Sequence, residues 1–246
     1  EQGYDPVRIP QYILQKNLFG IEIDKRAAML SSFALMMKAR AKDKRFFNRG
    51  IQPNILEMEN VSFEPAEIKA YLDRLGRDLY TQDLWEGLQQ FENAKTYGSL
   101  IRPAVKDVPA LRERMRETRI FDDLLLSSTN TKLLKVLEMS EYLSPRYQVV
   151  VANPPYLSRK GMASDLAQFM NEKYSDNKTD LFAAFIVRCS ELVVNLGNLG
   201  MMSPNVWMYL SSHEKLREFL TNAQVLTSLV ELPLTGFKGA TVQICT

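Results

Sequence analysis

Apolar residues fall along this chain in two rhythms. Short runs ended by acids, prolines or glycines alternate with longer stretches whose apolar positions recur at three- and four-residue spacing. NLFGIEID (17–24) is the first short run, and KRAAMLSSFALMMKARAK (25–42) follows with helical periodicity and with Lys and Arg in its last turns, where a helix C-terminus favours cations. The pair predicts a strand followed by a helix. NILEME (54–59) is the next candidate strand, and from about Glu64 to Glu141 the pattern is helical, broken near Gly98 and from Pro103 to Pro109, with no strand signal.

YQVVVAN (147–153) is the clearest strand, continuous in valine and bounded by Pro145 and Pro154. It is followed by a short helix at about 163–174, a strongly periodic helix over 180–196 (DLFAAFIVRCSELVVNL) and a glycine-entered strand over 197–204. A helix over 211–222, a strand over 223–232 and the start of another at 241–246 complete the series. Strands alternating with helices predict an α/β fold, a mostly parallel sheet with helices on both faces. Residues 64–141 then form a helical insertion between 1–63 and 142–246 of one domain.

QVVVANPPYLS (148–158) is where chemistry enters. Pro154 and Pro155 lack the N–H that a sheet ladder needs, so the strand stops at Asn153. Its carboxyl end, the crevice where open α/β sheets place their ligands, is left with an amide side chain, a rigid turn and the Tyr156 ring. The exocyclic amine of a nucleobase, or a carboxamide nitrogen, is a poor nucleophile because its lone pair is delocalised. The Asn153 side-chain oxygen and a backbone carbonyl of the Pro-Pro segment can accept the two N–H bonds of such an amine and turn the lone pair toward an electrophile. Proline fixes its own φ and holds the residue before it extended, so both acceptors are pre-set. Tyr156 can stack on a planar substrate. The competing reading is a strand terminator followed by a turn.

Composition narrows the setting. With 246 residues and 46% hydrophobic content the chain can bury a sizeable core. No run approaches the roughly 18–20 apolar residues of a membrane helix, and EQGYDPVRIP at the start lacks a signal-peptide pattern, so a cytoplasmic protein with no membrane partner is expected. Two cysteines, Cys189 and Cys245, make neither a disulfide framework nor a metal site; buried thiols are expected. The net charge of +2 neither demands nor excludes nucleic acid. KARAKDKRFFNR (38–49) carries six basic residues against one acid, and 102–119 six against three. Each run reads as a solvated face unless a base-handling site lies nearby. His213, the single histidine, falls on a polar helix face and is expected at the surface.

Beside this reading stands a resemblance. VVVANPPY resembles the catalytic motif of S-adenosylmethionine-dependent amino-methyltransferases, the N6-adenine DNA methyltransferases among them. The resemblance implies catalytic roles for Asn153, Pro154, Pro155 and Tyr156. GIEID (20–24) resembles that fold's second motif, whose acid accepts hydrogen bonds from the cofactor ribose; Glu22 holds its position, with Asp24 beside it as a second candidate or as a helix cap. Glu57 or Glu59 would meet the cofactor adenine. TDLFAAF (179–185) resembles the fifth motif, which carries Asp180 and Phe182 over as lining of the cofactor and target pockets, although core packing accounts equally for Leu181 and Phe185. LTGFKGATVQIC (234–245) resembles the eighth, in which Phe237 would flank the flipped base opposite Tyr156; a hairpin turn with a buried ring is its rival.

The order GIEIDKRAAMLSSFALMMKAR, FENAKTYGSLI, NPPYLSRKGM and LGMMSPNVWMYLSSHEKLREFL is similar, over nearly the whole chain, to the PglX-type methyltransferases of BREX phage-defence systems and to type IIG restriction–modification methylases. What this implies is a Rossmann-like class I methyltransferase fold, S-adenosyl-L-methionine as cofactor, adenine N6 in double-stranded DNA as substrate, and other defence-system subunits as candidate partners. One departure stands out: no Gly-x-Gly occurs in the sequence, although the family holds the methionine part of the cofactor in a glycine-rich loop after its first strand. That strand and loop would precede Glu1, and the target-recognition domain would follow Thr246. The chain is therefore expected to be a fragment, inactive alone and weak in cofactor binding; micromolar binding of S-adenosylmethionine would contradict this. Two alternatives remain, a methyltransferase for a protein glutamine or an RNA base, and a non-catalytic scaffold or DNA-binding piece of a defence complex.

Overall fold

The computed structural model describes residues 3–75, 82–105, 107–117, 124–144, 147–233 and 243–246. The chain divides into two units, Glu1–Ser144 and Pro145–Thr246.

In the first unit, helix α1 (Ile9–Tyr12) continues through a wider turn, Ile13–Asn17, into strand β1 (Phe19–Glu22). Helix α2 (Lys25–Lys42) crosses over to strand β2 (Asn54–Glu57), which runs parallel to β1 with Phe19 opposite Asn54 and Glu22 opposite Glu57. The two acids therefore end their strands side by side. Behind α2, Asp43 is buried and accepts the Arg45 N–H at 2.9 Å and Arg49 Nε at 2.8 Å, so the one acid of the basic run 38–49 is spent on closing its own loop. These bonds, Arg49's first, hold its carboxyl below the usual range.

Helices α3 (Pro65–Leu75), α4 (Gln82–Gln89), α5 (Ala94–Tyr97), α6 (Val108–Glu117) and α7 (Leu124–Tyr142) follow, and no strand interrupts residues 64–141 among those described. Their apolar faces meet in one core around Ile68, Tyr71, Leu88, Phe91, Leu133 and Leu137, each fully buried. Met58 joins that core, and Ile21 of β1 and Leu56 of β2 pack against it. At about 1.5–3 kcal/mol for each such side chain, this shared burial is what anchors the strand pair to the helices.

The second unit comprises β3 (Tyr147–Ala152), α8 (Ser164–Lys173), α9 (Leu181–Leu192), β4 (Val193–Met201), β5 (Ser203–Pro204), α10 (Glu214–Ala223) and β6 (Ile244–Cys245). β3 and β4 are parallel, and α9 is their crossover, burying Phe182, Ala183, Ala184, Ile186 and Cys189. β5 and β6 pair antiparallel. The result is a mixed α/β architecture with parallel strands, as periodicity predicts.

Two expected elements differ. The helix expected over 180–196 ends at Leu192, because the β-branched Val193 and Val194 open β4 instead. Between the Tyr147–Val193 and Val149–Asn198 pairs, β4 then bulges outward: Leu196 takes a positive φ of 64°, and a Cβ on Gly197 would fall 2.7 Å from the Gln148 carbonyl oxygen. Over the strand expected at 223–232, pairing occurs only at its end, where Val230 exchanges backbone bonds of 2.7 and 2.9 Å with Thr246 and the Leu232 N–H reaches Ile244. Among the described residues nothing pairs with 224–229, and Val225 and Leu226 are exposed. No helix among the described residues is long and apolar enough to cross a membrane.

Candidate active site

β3 delivers the chain to Asn153. Its last residue, Ala152, accepts the Met202 N–H at 3.0 Å, and the two prolines that follow end the ladder. Pro154 is buried, whereas Asn153 and Pro155 are exposed. The Tyr156 ring stands 36% exposed and its hydroxyl donates to Asn153 Oδ1 at 2.9 Å. Burial, with the Cys245 thiol nearby as a lesser cause, raises the Tyr156 pKa and keeps the hydroxyl a donor. Amide oxygen, fixed turn and half-open ring thus sit at the carboxyl end of a parallel strand.

The next turn is clamped to the start of α9. Arg159 N–H donates to the Thr179 carbonyl at 2.8 Å, Leu181 N–H donates to the Leu157 carbonyl at 2.9 Å, and Ser158 bridges Asp180. Asp180 occupies the N-cap of α9 without capping it. Its Oδ2 lies 3.4 Å from His213 Nε2 instead. Burial raises the Asp180 pKa, opposed by His213; burial lowers that of His213, opposed by Asp180 and assisted by Arg217. Phe182 is in the core with Ile186, Trp207, Leu216 and Cys245, its ring 5.3 Å from the imidazole. Cys245, a buried thiol like Cys189, accepts Trp207 Nε1 at 3.3 Å and lies 3.6 Å from Ser203 Oγ, which ties β6 to β5 and the turn after it. Phe237 lies outside the described residues.

His213 is the correction here. Expected at the surface, it is 1% exposed. A short 3-10 turn, Ser211–His213, precedes α10 and rolls the residue inward, so the polar face visible in the sequence belongs to the helix that begins at Glu214.

In the first unit, Glu22 ends β1 with Oε1 accepting the N–H groups of Ile23 at 2.8 Å and Asp24 at 3.0 Å. That leaves Oε2 without a hydrogen bond among the described residues, an acceptor at a strand tip. Asp24 is the helix cap: its Oδ1 accepts from Arg26 N at 2.8 Å and Ala27 N at 3.0 Å, and these bonds, Ala27's first, lower its pKa. Glu57 ends β2 and pairs with Lys95 at 3.1 Å; Glu59, two residues on, is held by Lys135.

Comparison with known proteins converges on one family. The family described as Eco57I restriction-modification methylase matches residues 16–237. An adenine-specific methyltransferase BrxX of Escherichia coli O9:H4 (strain HS) is 34% identical over 261 residues, covering 96% of this chain and 22% of that protein. An adenine-specific methyltransferase PglX of Lacticaseibacillus casei (strain Zhang) is 30% identical over 244 residues, covering 92% of this chain and 19% of that protein. The type II restriction enzyme and methyltransferase RM.Eco57I of Escherichia coli is 25% identical over 148 residues, 57% of this chain and 15% of that protein. The chain spans about a fifth of the length of the first two relatives.

Proposed function

The chain belongs to the Eco57I restriction-modification methylase family, and from that premise we propose that it carries the amine-handling part of an enzyme that transfers methyl from S-adenosylmethionine to N6 of an adenine extruded from duplex DNA. The setting would be a restriction–modification system, in line with the name of one relative, or a BREX phage-defence system, as the sequence resemblance implies. The observation that carries the reading is the end of β3, where Asn153 Oδ1, the Pro154 turn and the Tyr156 ring meet.

In this reading Asn153 Oδ1 and the Pro154 carbonyl accept the two N–H bonds of the adenine amine, which takes its lone pair out of conjugation and aims it. Positioning of this kind supplies most of the rate. Tyr156 stacks on the base, and its hydroxyl gives up Asn153 Oδ1 when the amine arrives. The methylated ammonium is acidic enough to lose its proton to solvent or to the Asn153 oxygen, so no dedicated base is required. S-adenosylmethionine, when bound, supplies an electrophilic methyl group. The unshared Oε2 of Glu22 suits a ribose hydroxyl. We assign Glu57, in register with Glu22, to the cofactor's adenine end, and Asp180 to the pocket lining. Since Gly-x-Gly is absent from the chain, the glycine-rich loop and its strand are proposed to lie outside it, and the chain alone should bind S-adenosylmethionine more weakly than micromolar.

The test is acceptor choice. The longest reading frame that contains the chain, given labelled S-adenosylmethionine, should label duplex DNA and yield N6-methyladenine on digestion. Label in RNA or protein with none in DNA would overturn the reading.

A further inference from the structure

In the second unit, the proposed chemistry leaves a buried polar residue, His213, without a part. Aspartate is a favoured helix N-cap because its carboxylate satisfies the first free N–H groups. Asp180 sits at that position and makes no such bond. Its carboxylate is turned toward His213 Nε2, 3.4 Å away. The imidazole is buried, and Nε2 has no hydrogen-bond partner. A buried polar group without a partner is destabilising, so a cap bond and a satisfied imidazole are both forgone at one place. Two further orphaned atoms, Asn177 Oδ1 and Thr179 Oγ1, lie in the segment leading to Asp180. The groups facing His213 are Asp180 at the start of α9, the Phe182 ring on the same helix and Arg217 on α10, whose guanidinium is engaged with the Trp207 and Leu210 carbonyls at 2.7 Å. Asp180 is therefore the one anion that faces the imidazole among the described groups.

We propose that His213 is a positioning residue for methyl transfer: its imidazole, facing the Asp180 carboxylate across 3.4 Å, holds that group away from the helix cap and, through the pairing of 157–159 with 179–181, keeps the turn after Asn153–Tyr156 in register. The short antiparallel pairing is the link, since Asp180 is at once the residue facing His213 and the residue bridged to Ser158. This rests on the reading of Asn153 to Tyr156 as the amine site.

The ring ¹⁵N signal that a His213→Gln variant loses makes the pair observable without activity. In the longest reading frame containing the chain, histidine ring ¹⁵N signals should report an imidazole protonated at Nε2 at neutral pH, and Asp180→Asn should move its titration to lower pH by removing the facing anion. A titration unmoved by Asp180→Asn would overturn the proposal. In the methyl-transfer assay, His213→Ala should lower kcat on the order of 10²-fold, the cost of a misplaced reacting group, with little change in KM for S-adenosylmethionine. His213→Gln, which keeps an N–H donor, should recover most of the rate. Asp180→Asn and His213→Ala combined should cost no more than the larger single effect, and multiplying effects would overturn the pairing. Transfer intact in His213→Ala would sink the inference alone; absence of transfer in the unaltered protein would sink the reading beneath it.

Discussion

Asn153 and Tyr156 hold each other in this structure, and that bond separates two kinds of substitution. Tyr156→Phe removes the hydroxyl from Asn153 Oδ1 but keeps the ring, so methyl transfer should stay within a few-fold of the unaltered enzyme. Tyr156→Ala removes the stacking platform, and at about 1–3 kcal/mol per stacked base it should raise KM for DNA roughly 5- to 150-fold. Steady-state kinetics on duplex DNA separates the two; equal losses in Phe and Ala would mean that the hydroxyl, not the ring, matters. Glu22 and Asp24 divide similarly. Glu22→Ala should weaken S-adenosylmethionine binding as well as lower the melting temperature, since its Oε1 holds two backbone N–H groups, whereas Asp24→Ala should lower the melting temperature and leave cofactor affinity alone, because its oxygen is committed to capping α2. At this scale the sequence was informative where chemistry and backbone coincide. Asn-Pro-Pro-Tyr announces its own geometry because proline removes conformational choice. His213 did not, because its burial depends on a three-residue turn whose direction no local pattern encodes.

Elements were legible where one periodicity covered the whole segment. β1, β2 and β3 fall where short apolar runs end in acids or prolines, and α2 and α8 within a residue or two of their predicted spans. The failures share a cause. Val193 to Leu196 continue the apolar rhythm of α9 and predict helix, yet the parallel pairing of their strand with β3 draws them into β4. Residues 224–229 carry Val225, Leu226 and Leu229 in a short apolar-rich run that reads as a strand, but such a run yields a ladder only where a neighbour offers one. The bulge in β4 makes a prediction of its own. A Cβ at position 197 would meet the Gln148 carbonyl and the Val193 side chain, so Gly197→Ala should destabilise the protein by about 1–3 kcal/mol, the usual cost of overpacking. Denaturant unfolding would register it; an unchanged midpoint would mean that the bulge relaxes freely.

For the molecule as a whole, pH connects the Asp180–His213 pair to stability. Burial lowers the His213 pKa from its ordinary 6.5, so as pH falls below that value the unfolded chain takes up a proton that the folded protein refuses. Stability should decline on acidification through that window. Asp180, raised above its ordinary 3.8, acts in the opposite sense: its contribution is complete at low pH and lost as pH rises through the folded value. His213→Gln should flatten the decline just below 6.5, as read from denaturant midpoints at successive pH values; an unchanged slope would assign it to other groups. The end of β3, as proposed above, is a centre for methyl transfer to an amine. The direct measurement is transfer of labelled methyl from S-adenosylmethionine to unmethylated duplex DNA by the longest reading frame that contains the chain, beside an Asn153→Ala variant of equal melting temperature. Transfer by the unaltered protein, reduced at least on the order of 10²-fold in the variant, is the predicted result. Equal transfer by both would contradict it, since the amine would then be oriented by something other than Asn153.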